Sequence, residues 1–304
     1  MGEAVPVTMQ RFWLHRYAIV LSVCTLLLVA AGASVTSKEA GLSVPDWPLS
    51  YGQVMPPMTG GVLFEHGHRM IGATVGLLTI GLLIWILRVE NRSWMRKLGW
   101  VALAWVCVVG LLGGLTVKLL TPPPVSITHT CLAQLFFSLT VAMCVFTSRS
   151  WLDGPEIVED HGWPSLRSIA IALPLIVLTQ VALGAGFRHG ALGVLPHIIG
   201  AMFVMLFILC AGAFVLQQFP NHKTLRPAAI ALLSITGVQI VLGITAYLTR
   251  LLENEHPVAM VIATVAHVAV GALTLATTIL LSIQIRRNVR PAQVEATEGA
   301  AVHT

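Results

Sequence analysis

Eight separate stretches of this chain run mostly apolar for about 20 residues or more, at about residues 17–36, 64–88, 98–118, 127–147, 168–188, 194–216, 227–249 and 260–284. A helix needs about 20 such residues to cross the hydrocarbon of a bilayer, where each backbone polar group must be satisfied inside the segment. Eight runs of that length leave few folds open. The chain reads as an all-α integral membrane protein with eight transmembrane helices. Turn and charge clusters separate the runs, among them Pro45-Asp46-Trp47-Pro48, Glu90-Asn91-Arg92, Pro122-Pro123-Pro124 and Asp153-Gly154-Pro155. Pro174 falls inside the fifth run, where neighbouring helices can satisfy the freed carbonyl.

Only 10% of the 304 residues are charged against 56% hydrophobic, and the mean hydropathy is +0.83. Such a chain lacks the polar skin of a soluble domain and is neither disordered nor a disulfide-stapled secreted fold. A net charge of +5 on so apolar a chain orients it in a bilayer and does not point to nucleic acid. With both termini inside, thirteen of the eighteen Lys and Arg residues fall on the inner side, which gives an N-in, C-in topology in a bacterial-type cell membrane. A signal peptide ending near Ala31-Gly32-Ala33 is the poorer reading of the first run, which is long for a signal sequence.

The eight runs repeat as two sets of four. Each odd-numbered run ends in small residues at its outer end: Ala30-Ala31-Gly32-Ala33, Gly113-Gly114, Gly184-Ala185-Gly186, and Gly243 with Ala246. A Leu-Gly step recurs at Leu112-Gly113, Leu183-Gly184 and Leu242-Gly243, with Gln180 and Gln239 four residues before the last two glycines. A basic residue follows each cluster (Lys38, Lys118, Arg188, Arg250), and the next run carries a histidine near its outer end: His68, His129, His197 and His267. An even number of helices per set makes the repeat parallel, so the two half-sites are expected side by side at one depth. The expected division is a cytoplasmic N-terminal segment (1–16), two tandem parallel four-helix bundles (17–147 and 168–285), a cytoplasmic linker (148–167) and a cytoplasmic tail (286–304).

Small residues let membrane helices approach one another, and a histidine in such a helix usually finds a partner. Taken together, four imidazoles at matched height form two facing pairs, the arrangement that clamps an iron porphyrin from both faces. Gly72, Gly200 and Gly271 lie on their histidine's face about one turn on, with Ala133 in that place for His129, and leave room for a macrocycle. Zinc, the competing metal, favours closely spaced Cys and His. The five cysteines (Cys24, Cys107, Cys131, Cys144, Cys210) lie in apolar runs without a CxxC pair and read as small hydrophobes. His66 points about 200° away from His68 around the helix. His189 and His256 read as solvated loop residues, while His15, His161, His222 and His303 fit no pattern. In Glu65-His66-Gly67-His68-Arg69, Glu65 shares a face with His68 and can relay a proton or orient a substrate there. Equally, Glu65 is a first-turn acid favoured by the helix dipole. Arg69, Lys118, Arg188 and Arg250 gather at the outer boundary, as partners for haem propionates or as anchors to headgroups.

The first outer loop, Glu39-Ala40-Gly41-Leu42-Ser43-Val44-Pro45-Asp46-Trp47-Pro48, followed by Glu65-x-x-His68-Arg69, resembles the haem A synthase family of cytochrome oxidase assembly. The likeness extends over all eight runs. It implies oxidation of the C8 methyl of haem O to a formyl group, giving haem A, by successive hydroxylation and loss of water. It also implies a haem b cofactor ligated by His197 and His267 in one half, the half whose outer-boundary basic residues are Arg188 and Arg250 by position. Substrate haem O would lie in the other half beside His68 and His129, with Glu65 as the carboxylate needed for activity. Haem O, haem A, the farnesyltransferase that makes haem O, an oxidase assembly factor and a second copy of the chain are the expected partners. Some members carry a cysteine pair in the first outer loop; Ser50 stands where a Cys would be expected, so no thiol–disulfide step is available there. Two other readings remain: a di-haem b-type electron-transfer cytochrome, which needs neither Glu65 nor the loop, and a parallel-repeat transporter, whose site would lie nearer the midplane.

Overall fold

A computed structural model describes residues 7–252 and 257–292. In chain order the elements are α1 (Val7–Ser37), α2 (Gly60–Val89), α3 (Ser93–Lys118), α4 (Pro123–Thr147), the short α5 (Arg149–Leu152), β1 (Val158–Asp160), α6 (Leu166–Arg188), α7 (Val194–Gln218), α8 (Leu225–Leu251), α9 (Pro257–Asn288) and β2 (Val289–Pro291). His256, His303 and the tail from residue 293 lie outside the described residues. All eight long helices have the length and hydropathy to cross a membrane, so the all-helical, multi-span fold is the one expected. Several outrun their apolar stretch: α1 carries Arg11, His15 and Arg16 in helix before the run begins, and α6 continues through Pro174.

The outward faces are apolar and bare. Leu77 is 69% exposed while Val75, two residues away, is fully buried. Leu111, Met202, Val241 and Ile262 are nearly as open. An apolar surface of that extent matches hydrocarbon and not water.

Each of α1 to α4 packs on its chain neighbour, and α1 also meets α4; α6 to α9 repeat that pattern, with α6 meeting α9. One apolar core, around Leu14, Leu82, Ile86 and Met143, fills the first set. A second, around Leu166, Ile208, Leu232 and Leu275, fills the other. Between them α4 meets α9 through Phe137, Ala272 and Ala276, flanked by the contacts of α1 with α9 and of α4 with α6. The last helix thus touches α1, α4, α6 and α8.

The end of the molecule opposite the four histidines is more ordered than a linker and a tail suggest. β1 and β2 pair in parallel, Val158 opposite Val289. The buried Asp160 carboxylate accepts from Gly162 N (2.9 Å) and Leu166 N (2.7 Å), capping α6. Asn288 Oδ1 accepts from Glu156 N at 2.9 Å. His222, outside any sequence pattern, is buried with Nε2 2.9 Å from the Glu156 carbonyl.

Candidate functional site

The four histidines singled out by the repeat stand on α2, α4, α7 and α9, each against one glycine of the preceding long helix. A Cβ on Gly32 would stand 2.9 Å from His68 Cε1, one on Gly113 3.2 Å from His129 Cε1, one on Gly184 2.8 Å from His197 Cε1, and one on Gly243 2.9 Å from His267 Cε1. Carbon atoms pack at about 3.5–4.0 Å, so at Gly32, Gly184 and Gly243 only a residue without a side chain lets the imidazole close onto the helix, while at Gly113 an added Cβ would crowd the ring less severely. These glycines are imidazole seats as well as packing residues. The glycines one turn beyond the histidines serve otherwise. Gly200 receives the side chain of Gln180, Gly271 that of Gln239, and Gly72 faces Leu28. At Gly200 and Gly271 the room expected for a macrocycle is therefore filled by amides.

The ring nitrogens are sorted by the backbone. His129 Nδ1 lies 3.1 Å from the Val109 carbonyl, four residues before its seat. A carbonyl only accepts, so Nδ1 carries the proton and Nε2 keeps its lone pair. The Gln180 amide bridges His197 Nδ1 (2.9 Å) and the His197 carbonyl (2.8 Å). Nδ1 of His68 and of His267 is buried and lies toward the backbone of Leu28 and of Gln239, each four residues before its seat, short of full hydrogen-bond geometry. Among the described residues no hydrogen bond occupies Nε2 of any of the four; in His129 that nitrogen keeps its lone pair for a metal, whereas the Gln180 amide N–H on Nδ1 of His197 places that ring's proton on Nε2.

The His197 and His267 rings lie with centroids 6.2 Å apart and planes at 85°. A first-row metal–imidazole bond is about 2 Å and half the ring adds about 1 Å, so two axial imidazoles on one iron stand about 6 Å apart. The C-terminal pair has that spacing. No cluster of three or more His, Cys, Asp and Glu forms among the described residues, so the donor set fits a porphyrin iron better than tetrahedral zinc.

The connection from α1 to α2 folds back onto α2 and α3. Trp47 rests on Gly114, where a Cβ would stand 2.6 Å from the indole, next to the seat of His129. Glu65 is buried, 4% exposed. Its Oε2 accepts from Val44 N (2.8 Å) and its Oε1 from Arg69 (2.5 Å). Arg69 also donates to the carbonyls of Asp46 (2.7 Å) and Leu49 (2.9 Å). Among the described residues no hydrogen bond joins Glu65 to His68, so their shared face does not make them partners. His66, set aside by the sequence pattern, is buried with Nδ1 2.7 Å from Ser50 Oγ and serves this cap; no spacing along α2 signals it, because its partner lies in the loop. Asp46 accepts from Tyr51 N (2.7 Å) and Gly52 N (2.8 Å), and these bonds, that of Gly52 foremost, hold its carboxyl below the ordinary 3.8. Gly52 adopts φ +68°, the left-handed turn conformation that glycine takes without strain. The connection from α6 to α7 is, by contrast, residues 189–193 alone.

Of the basic residues at this end, Arg69 is committed to the cap. Arg188 donates through one terminal nitrogen, NH2, to the Ala33 carbonyl and to Ser37 Oγ (2.9 Å). Its other, NH1, is buried without a partner. The Arg250 guanidinium lies 5.1 Å over the Phe187 ring. His189 is half-buried and not solvated as expected, with Nε2 3.5 Å from Thr130 Oγ1. Burial, then the neighbouring Arg188 and His129, push its pKa down to about 4.

Fold and site together define an all-helical, multi-span membrane protein organised around four glycine-seated imidazoles. Its sequence matches the profile of a known family over residues 15–61 and 59–196, more than half of the chain. The chain belongs to that family, the cytochrome oxidase assembly proteins (COX15-CtaA). It is 30% identical over 169 residues to a Symbiobacterium thermophilum protein named Heme A synthase, covering 54% of this chain and 55% of the relative. Proteins of the same name from Shewanella oneidensis (27% over 194 residues, 58% of this chain and 56% of the relative) and Methylobacterium nodulans (26% over 262 residues, 70% of each) are also similar. The chain thus spans about half the length of the first two of these relatives.

Proposed function

We propose that the chain is a haem A synthase, a membrane haem-dependent oxidoreductase that converts the C8 methyl of haem O to the formyl group of haem A. The observation that carries the reading is the fourfold recurrence of a glycine seat beneath a histidine, in a chain whose relatives bear that name. His197 and His267 would hold haem b, with Arg188 and Arg250 toward its propionates; His68 and His129 would face haem O. Bound haem supplies the electron-transfer and oxygen chemistry. The chain's own residues do the rest. The seats set the height of each imidazole, and Val109 fixes the tautomer of His129. The cap, pinned by Trp47, Arg69 and Ser50, limits water at the outer end of the N-terminal half. Glu65 keeps a carboxylate at that mouth for proton transfer.

The reading includes two tandem parallel four-helix bundles, 17–147 and 168–285, with both termini inside the cell membrane. Matched contacts of α1 with α9 and of α4 with α6, on either side of α4 with α9, support the tandem arrangement, and the distribution of Lys and Arg supports the orientation. The farnesyltransferase that makes haem O, an assembly factor and a second copy of the chain are the partners that go with it.

Pigment extraction tests the function. Purified protein should yield haem b together with haem O or haem A; haem b alone would overturn the enzyme in favour of an electron-transfer cytochrome. His197→Ala and His267→Ala should each remove the low-spin haem b spectrum, and a full spectrum in both would defeat the ligand assignment.

A further inference from the structure

We infer that Arg188 is a positioning residue for both haem sites at once, tying the rim of the C-terminal half to the helix that seats His68; this rests on the haem sites proposed above. α6 ends at Arg188, four residues after Gly184, the seat of His197. Its guanidinium leaves its own half. NH2 donates to the Ala33 carbonyl and, at 2.9 Å, to Ser37 Oγ, both on α1. Ala33 directly follows Gly32, the seat of His68. One side chain is therefore one turn from one imidazole seat and bonded beside another.

The second terminal nitrogen points to the other half of the role. NH1 is buried and unpartnered, and no carboxylate forms a salt bridge with Arg188 among the described residues. Arg250 stands over Phe187, the residue before Arg188, so two cations share this rim, and among the described residues no acid is paired to either. A buried guanidinium donor without an acceptor calls for an anion, and a propionate at the edge of the C-terminal haem meets that need. NH2 thus binds α1 while NH1 serves the haem edge. Among the described residues no such bond runs the other way: Lys38, the basic residue after the seat of His68, lies 5.9 Å over the Phe64 ring of α2.

Arg250 supplies the control, since it adds charge at the same rim but makes no hydrogen bond to α1 among the described residues. Arg188→Gln, Arg250→Gln and Ser37→Ala would be purified from cells that make haem O. Two quantities are read: the redox midpoint of haem b, and the ratio of haem O plus haem A to haem b in extracts. Both Gln variants should lower the midpoint, because each removes a positive charge that favours the added electron. Only Arg188→Gln and Ser37→Ala should lower the pigment ratio, severalfold for the first, and Ser37→Ala should add nothing in the Arg188→Gln background. A wild-type ratio in Arg188→Gln overturns the cross-half role. Should Arg188→Gln fail to fold, Ser37→Ala decides, and an unchanged ratio there overturns it equally. Haem b that survives both His197→Ala and His267→Ala is a different result, which removes the assignment of those two histidines as its ligands.

Discussion

A methyl group is enough to test an imidazole seat. Gly243→Ala would place a Cβ 2.9 Å from His267 Cε1, inside the roughly 3.5 Å at which carbons pack, so the ring must move. The C-terminal haem spectrum of that variant should be lost or broadened. Gly237, on the same helix, has nothing within 4 Å of its would-be Cβ; Gly237→Ala should leave the spectrum intact and favour the helix by up to about 1 kcal/mol. Optical spectra of the two purified variants check the contrast. Glu65 needs a finer comparison, because it holds the cap as well as a charge. Glu65→Gln keeps an acceptor for Val44 N but leaves Arg69, 14% exposed, without its carboxylate, and breaking a buried pair from one side costs about 3 kcal/mol or more. Haem A output should fall to background in Glu65→Gln and only partly in Arg69→Gln; equal losses would reduce Glu65 to a cap residue. The four histidines are legible in the sequence because they recur at matched places in each run. Their seats are legible only as small residues, since the contact lies between helices and no spacing along one helix says which glycine meets which ring. The same limit explains why Gly200 and Gly271 turn out to receive Gln180 and Gln239.

The cap between α1 and α2 rests on two carboxylates, Glu65 within it and Asp46 at its turn. Asp46 in the folded loop titrates below its ordinary 3.8, so its contribution is complete above that ordinary value and is lost as pH falls through the lowered one. Hydrogen exchange, corrected for intrinsic rate, should show Tyr51 and Gly52 amides protected at neutral pH and released in acid below about pH 4. In Asp46→Asn the dependence should flatten, and an unchanged profile would remove Asp46 from the role. Helices were readable here because hydrocarbon thickness sets a minimum apolar length; their polar ends were not, since helix continues past the bilayer with residues such as Arg11 and Arg16. The cap was unreadable for another reason. Val44 meets Glu65 across 21 residues and Ser50 meets His66 across 16, pairings that no local period carries. The β1–β2 pair is harder still, since it joins the two ends of the C-terminal set.

At the scale of the molecule the seam between the two sets joins α1 to α9, α4 to α9 and α4 to α6. Phe137 is 2% exposed and packs with Ala272 and Ala276, so Phe137→Ala opens a cavity at the junction and should cost about 3–5 kcal/mol. Thermal unfolding in detergent should fall in a single transition with release of both pigments together; two separated transitions would show that the sets melt independently. The seam also sets an order of events. α9 is the last of the eight helices to be synthesised, yet it touches α1, α4, α6 and α8, and β2, which closes the opposite end, follows it. Until α9 arrives, the helices made first hold an open flank. Maturation is therefore a matter of time as well as of packing: a ribosome that stalls after seven insertions leaves a chain with most of its helices in place, the second set open and the flanks of α1 and α4 uncovered for a membrane protease to find.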